Sequence, residues 1–324
     1  MLRIPLVVAL GCVLAAALVP AHAQSDWPSK PVILIVPFPA GGGTDAFARP
    51  LSTQLFKQTG KTFVIANHGG AGGNLGATVA SRAAPDGYTF FMGAVHHAIA
   101  PSVYSKLDYD IERDFAPVTS IAHMPQVVVI NPDRIKAANL KELIAAVQTQ
   151  PGKFTFGSGG HGTSHHVSGE LFKIVTRSDL LHVPFKGNGP AMAALLGGEI
   201  HMMVDALGSS AGAIRGGKVK ALAVAATRRA AGFPEIPTTE EAGLSDFVIG
   251  TWYAMWARNG TPQPIIDRMH EQVVRALASQ SLKDVWLSQG ATAGGESAGQ
   301  FGAFVRQEIE RWGKVAKASG ARAD

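Results

Sequence analysis

The chain has 324 residues, of which 46% are hydrophobic and 16% charged, enough apolar material for a large core in two domains of ordinary size and too much for a disordered protein. Its formal net charge of +5 is spread along the chain without a run of Lys or Arg, which argues against nucleic acid as a partner and leaves attraction to small anions open. The single cysteine, Cys12, lies in an N-terminal apolar stretch, so the rest of the chain has neither disulfides nor thiol chemistry.

That stretch, MLRIPLVVALGCVLAAALVPAHAQ, places Arg3 before an apolar run and ends in Ala21-His22-Ala23, a small-x-small cleavage signature. A signal peptide over residues 1–23, cut after Ala23, is expected, giving a secreted protein. A retained membrane anchor fits less well, because Pro5 and Pro20 interrupt the run. No later segment is long and apolar enough to span a bilayer.

The next segment, VILIVPFPAGGGTDAFARP, runs an apolar strand, Val32 to Val36, into three glycines and then a helix from Asp45 to Gln58. Glycines let the backbone bring its N–H groups close to a ligand. Thr44 is placed to cap the helix, whose free N–H groups and dipole favour an anion. The Lys-Ser/Thr pair of a nucleotide P-loop is missing, so a carboxylate fits better than a phosphate. Pro50 is expected to kink this helix or end its first segment early.

Further strands are expected at Phe63–Ala66, Thr89–Gly93, Gln126–Ile130, Lys153–Phe156, Leu181–Phe185, Ile200–Val204 and Lys220–Ala225, with helices at Leu140–Thr149, Ser164–Thr176 and Ala191–Gly197. Such alternation implies an α/β architecture with largely parallel sheets. Two amphipathic helices close the chain, one carrying Ile265, Ile266, Met269, Val273 and Leu277, the other Phe301, Phe304, Val305, Ile309 and Trp312. Both are expected to pack onto a sheet.

The opening grammar returns at GSGGHGTSHHVSGELF. Gly157, Gly159 and Gly162 formally spell G-x-G-x-x-G, yet the next strand ends in Lys186-Gly187 rather than the acidic residue of a dinucleotide site. As a binding loop, Ser158 and Thr163 supply hydroxyls and the glycines supply N–H donors; the plainer reading is a pair of tight strand-to-helix turns. His161, His165 and His166 invite a metal, but no acidic residue interleaves them and no metal is expected. His96 and His97 fall in another post-strand loop, where one imidazole can point inward. No G-x-S-x-G elbow supports a hydrolase. Asp205 ends an apolar strand; it either receives a ligand's hydroxyl or ammonium group or caps the next helix.

The segments WPSKPVILIVPFPAGGGTDAFAR, GAGGNLGA, APDGYTFFMG, DFAPVTSIA, GSGGHGTSHHVSGELF, VPFKG, AMAALLGGEIHMMVD, GKVKALAVAATRRAAGFPEIPTTEEAG and WYAMWARNGTPQPIIDRMH occur in order along the chain. Together they resemble the Bug-type extracytoplasmic solute receptors of tripartite tricarboxylate transporters. The resemblance implies a two-domain Venus-flytrap fold of the periplasmic binding protein type, with the ligand cleft between domains and a small carboxylate clamped by two strand-to-helix loops. It assigns Phe38, Ala40, Gly42, Gly43, Thr44 and Asp45 to the first loop, and Ser158, Gly159, Gly162, Thr163 and His166 to the second. Asn74 matches the Asn of the family's GAGGN loop and Asp205 its strand-end acid; His96 and Asp205 are expected at the ligand's distal end. Phe185 stands where a Tyr is common before Lys-Gly. The expected division is 24–124 with 247–324 as one domain and 125–246 as the other. A monomeric periplasmic receptor is implied, with no enzymatic activity and no cofactor, whose partner is a membrane permease or, alternatively, a sensor protein.

Overall fold

Val32–Val36 forms β1 with four of its five residues buried, as a strand covered on both faces must be. The computed structural model describes residues 27–323, so the expected signal segment and its cleavage after Ala23 lie outside the described residues. Helix α1 follows over Gly43–Thr59, then β2 (Phe63–Asn67), a short 3-10 turn, α2 (Asn74–Ser81), β3 (Thr89–Ala94) and α3 (His96–Val103). The long strand β4 (Phe115–Ile130) leads to α4 (Leu140–Thr149), β5 (Thr155–Ser158), α5 (Ser164–Thr176), β6 (Leu181–Pro184) and α6 (Asn188–Gly197). Next come β7 (Met202–Ala206), α7 (Leu207–Arg215), β8 (Lys220–Val224) and β9 (Gly250–Arg258). The chain finishes with α8 (Gln263–Leu277), α9 (Gln280–Ser288), β10 (Thr292–Ala293) and α10 (Ala298–Ser319).

The strands line up in the order β2-β1-β3-β9-β4-β7-β5-β6, with β8 and β10 also paired to β4. β1 lies parallel to β2 and β3, and β5 lies parallel to β6 and β7. The expectation of largely parallel sheets is corrected at the centre, where β9 runs antiparallel to β3 and β4, and β4 antiparallel to β7 and β8. β4 changes partners along its length: residues through Pro125 pair with β9, and those from Gln126 pair with β7 and β8. One strand therefore belongs to both halves of the molecule.

Pro50 does not end α1, which continues through it to a left-handed Gly60. Loss of one N–H in a helix that buries Phe47, Leu51 and Leu55 is tolerated because tertiary packing outweighs it. The closing helices meet expectation. α8 buries Ile266, Met269, Val273 and Leu277; α10 buries Phe301, Val305 and Trp312 and opens with a capping box between Ser297 and Gln300. α10 packs on α3, β4 and α5. Among the described residues no helix is long and apolar enough to cross a membrane.

Candidate functional site

The first loop is held from behind by Asp45. Its carboxylate takes the Arg49 fork at 2.6 and 2.9 Å, the Gly41 N–H at 2.9 Å and the Asn67 amide at 3.1 Å. Burial by itself would raise the Asp45 pKa; the hydrogen bonds from Arg49, Gly41 and Asn67 outweigh it and hold the carboxyl below its usual range. Gly41 has φ of 80°, which turns the backbone so that its N–H reaches Asp45. Helix α1 begins earlier than expected, with Gly42 as its cap. Thr44 thus lies inside the first turn and caps nothing, and its hydroxyl is buried without a partner among the described residues. Gly43 abuts the Tyr253 hydroxyl so closely that any side chain there would collide with it.

The second loop is tied internally. Ser158 Oγ accepts from the Gly160 N–H at 3.1 Å and pairs with His182 Nε2 at 2.7 Å. Thr163 is the N-cap of α5; its Oγ accepts from the His166 N–H at 3.4 Å and donates to the Gly160 carbonyl at 2.7 Å. The Gly162 N–H donates to His166 Nδ1 at 3.2 Å. A third loop, absent from the sequence reading, enters α6: Gly187, with φ of 112°, donates its N–H to the Gly159 carbonyl at 3.1 Å.

These loops enclose a cavity of about 90 Å³. Of the expected site residues, Phe38, Ala40, Gly42, Gly43, Thr44, His96, Gly159 and Thr163 line it. Asp45, Ser158, Gly162 and His166 stand behind the loops they brace. Asn74 is also outside the lining, buried with its carbonyl oxygen accepting from the Tyr109 hydroxyl at 2.7 Å. Asp205 is outside it too, and both of its oxygens are taken within the chain. They receive the Ala206 N–H, the hydroxyls of Ser209 and Ser210, the Asn188 amide at 2.9 Å and His165 Nε2 at 3.1 Å. Asp205 does not cap α7, whose N-cap is Ala206 without a side-chain cap bond; its carboxylate instead braces the start of that helix. Burial raises its pKa and the hydrogen bond and charge of His165, with those of the serines, lower it further than burial lifts it.

Pro39 and Gly41 complete the first loop's share, and residues that sequence reasoning missed complete the lining: His165, Gly187, Asn188, Gly189, Pro190, Ser209 and Tyr253. Gly187-Asn188-Gly189-Pro190 carried a readable signal, since strand, glycine and a Pro in a first helical turn repeat the grammar of the other loops. Tyr253 did not, because β9 lies far away in sequence.

The lining contains no Asp, Glu, Lys or Arg. It is instead ringed by the starts of five helices: α1 at Gly43 and Thr44, α3 at His96, α5 at Thr163 and His165, α6 at Asn188, and α7 at Ser209. First-turn N–H groups lack intrahelical acceptors and carry the positive end of the helix dipole. Four buried polar atoms with no partner among the described residues also belong to this lining: Thr44 Oγ1, His96 Nδ1, His165 Nδ1 and Asn188 Oδ1. Burial, aided by the neighbouring His165 and His97, holds His96 well below the usual histidine range, so it is neutral at pH 7. Contacts close the cleft from above. The Tyr104 hydroxyl donates to the His161 carbonyl at 3.0 Å, and Ser164 Oγ lies 3.4 Å from His96 Nε2.

Comparison with known proteins gives one consistent answer. Residues 47–321 match the family model described as tripartite tricarboxylate transporter family receptor. Protein BugT of Bordetella pertussis is 33% identical over 320 residues, covering 98% of each chain. The solved structure of the periplasmic binding protein BugD is 33% identical with a TM-score of 0.87, covering 91% of this chain and 99% of that one. An R. palustris protein solved with adipate is 34% identical with a TM-score of 0.88, covering 91% and 99%. The fold is thus the two-domain α/β fold of periplasmic binding proteins, and the chain belongs to the receptors of the tripartite tricarboxylate transporter family.

Proposed function

We propose that this protein is a periplasmic receptor that clamps a small carboxylate in the 90 Å³ cavity and delivers it to a membrane permease. The observation that carries the reading is a half-open cavity whose described lining has no Asp, Glu, Lys or Arg and is ringed by helix N-termini. Such a site offers fixed N–H donors and positive potential to a small anion without a basic residue. The carboxylate lies between the first turns of α1 and α5, and Thr44 Oγ1 donates to it. Adipate in the related R. palustris protein supports the class of ligand.

The distal end is read by polar atoms. Asp205 receives the Asn188 amide and His165 Nε2, which turns Asn188 Oδ1 into an acceptor and leaves His165 Nδ1 as a second polar atom, neither with a partner among the described residues. A hydroxy acid or amino acid satisfies them with its O–H or N–H. Asp205 acts through these two side chains and does not touch the ligand itself.

The domain division at 124/125 and 246/247 is supported by the change of partners in β4 after Pro125 and by the return of the chain to β9 at Gly250. Ligand contacts made from both domains at once favour the closed state over the open one. Delivery to a permease and export with cleavage after Ala23 complete the proposal; a monomer with no turnover is expected.

Thermal shifts against paired acids and their amides test this reading, since ligand binding only to the folded state raises apparent stability. A shift with a hydroxy or amino acid that disappears with its amide supports the carboxylate anchor. Equal shifts with acid and amide would remove it. A sensor as the partner would show itself as a membrane sensor, and no permease, retained by the ligand-loaded protein.

A further inference from the structure

Three histidines from three consecutive segments meet beneath the second loop. His161 belongs to the loop, His166 to the first turn of α5 and His182 to β6, and one ring nitrogen from each lies within 4.8 Å of the other two. The rings of His166 and His182 stack at 4.1 Å, while His161 meets both edge-on at 5.4 and 5.2 Å. Pairing of β5 with β6 builds this cluster, because it sets His182 beside Phe156, two residues before Ser158.

From this set we propose a second binding site, for a divalent transition metal ion of the zinc class. Three imidazoles are a donor set that zinc, copper and nickel accept, with a fourth position left for water or an external ligand. The absence of carboxylates from the set disfavours calcium and magnesium. None of the three histidines lines the carboxylate cavity; His161 lines an adjoining outer chamber beside Tyr104 and Phe185, which shares Phe38, Pro39, Gly159 and Gly187 with that cavity. The metal site thus shares no ligating side chain with the carboxylate cavity and is tested separately from it, although its histidines brace the second loop.

Its geometry needs one modest adjustment. Nitrogens about 2.0–2.1 Å from a tetrahedral zinc ion stand roughly 3.4 Å apart, so the rings must draw together. His161 is exposed on a loop with two left-handed glycines, Gly160 and Gly162, and has the freedom to swing inward. Ser158 Oγ, 2.7 Å from His182 Nε2, is the outer partner that fixes the His182 ring and leaves its Nδ1 for the ion. At His166 the ion competes with the Gly162 N–H for an imidazole lone pair, which links metal loading to the second loop. Lys173, whose charge reaches His166, is itself paired with Glu170 at 2.9 Å.

Titration of the untagged protein with Zn²⁺ by calorimetry, and with Co²⁺ by visible absorption, tests the site. Binding of about one equivalent is expected, with the intense bands of four-coordinate Co²⁺. His161→Ala, a change at an exposed position that leaves the core intact, and His182→Ala should each weaken binding by at least the roughly 10–100-fold that loss of a mere outer partner costs. His270→Ala, on α8 and outside both sites, should leave it unchanged. No binding by the parent protein, or the same affinity in His161→Ala and His182→Ala, would overturn the proposal.

Discussion

His165 Nε2 and Asp205 Oδ1 lie 3.1 Å apart, joining the first turn of α5 to the end of β7 beside the cavity between the glycine loops. Asp205 is fully buried, and its folded-state pKa is below the ordinary value of about 3.9. Its stabilising contribution is complete above that value and lost as pH falls through the depressed folded pKa. Asp205→Asn should cost about 3 kcal/mol at pH 7, the scale of breaking a buried pair, and reduce the acid dependence of stability below about pH 4. Denaturant unfolding from pH 3 to 7 checks both; a variant as stable as the parent at pH 7 would show that the carboxylate braces nothing.

Thr44 and Thr163 should separate binding from folding. The Thr44 hydroxyl has no partner among the described residues, so Thr44→Val is expected to weaken carboxylate binding by about 1–3 kcal/mol without lowering the melting temperature. Thr163 caps α5, so Thr163→Val should lower stability by about 1 kcal/mol as well as affinity. Calorimetry and thermal denaturation on the same preparations give the two readings.

Gly43 and Tyr253 form a steric pair. Gly43→Ala should weaken ligand binding by at least tenfold, about 1.4 kcal/mol, by driving the tyrosine hydroxyl aside. Adding Tyr253→Phe removes the atom in collision and should restore part of the loss. A double-mutant cycle with no coupling would place the effect elsewhere.

His97 gives the protein a second acid sensitivity at higher pH. Burial lowers its pKa to about 4, against smaller opposing effects of the backbone groups of Ala94 and Gly73. An unfolded histidine titrates near 6.5, so this contribution is whole above pH 6.5 and is lost as pH falls toward 4, about 3 kcal/mol in all. His97→Gln should flatten the stability profile across that window. An unchanged slope in the variant would show that His97 is not the group that titrates.

The strand-glycine-helix grammar made the first two loops legible because it is local: a few apolar residues, glycines and a helix start lie within twenty positions. Thr44 was placed at the site for the wrong local reason, since the helix starts at Gly43 and its hydroxyl faces no cap. Asp205 was noticed, but its saturation by His165, Asn188 and the serines depends on contacts between separate elements that spacing cannot show. The same holds for His182, which joins His161 and His166 only through β5–β6 pairing. β9 and the first half of β4 went unread because Pro117, His123 and Pro125 interrupt the apolar pattern of one, and the other pairs only with strands more than a hundred residues away.

Where the proposed anion anchor is largely main chain, holding the anion and choosing the acid fall to different positions. Every amino acid except proline supplies an amide, so substitutions that neither crowd the backbone, as at Gly43, nor remove the Thr44 hydroxyl leave those N–H donors in place. Lining positions outside the brace that His165, Asn188 and Ser209 form with Asp205 are then free to drift, and a receptor of this kind can exchange one acid for another by side-chain replacement there.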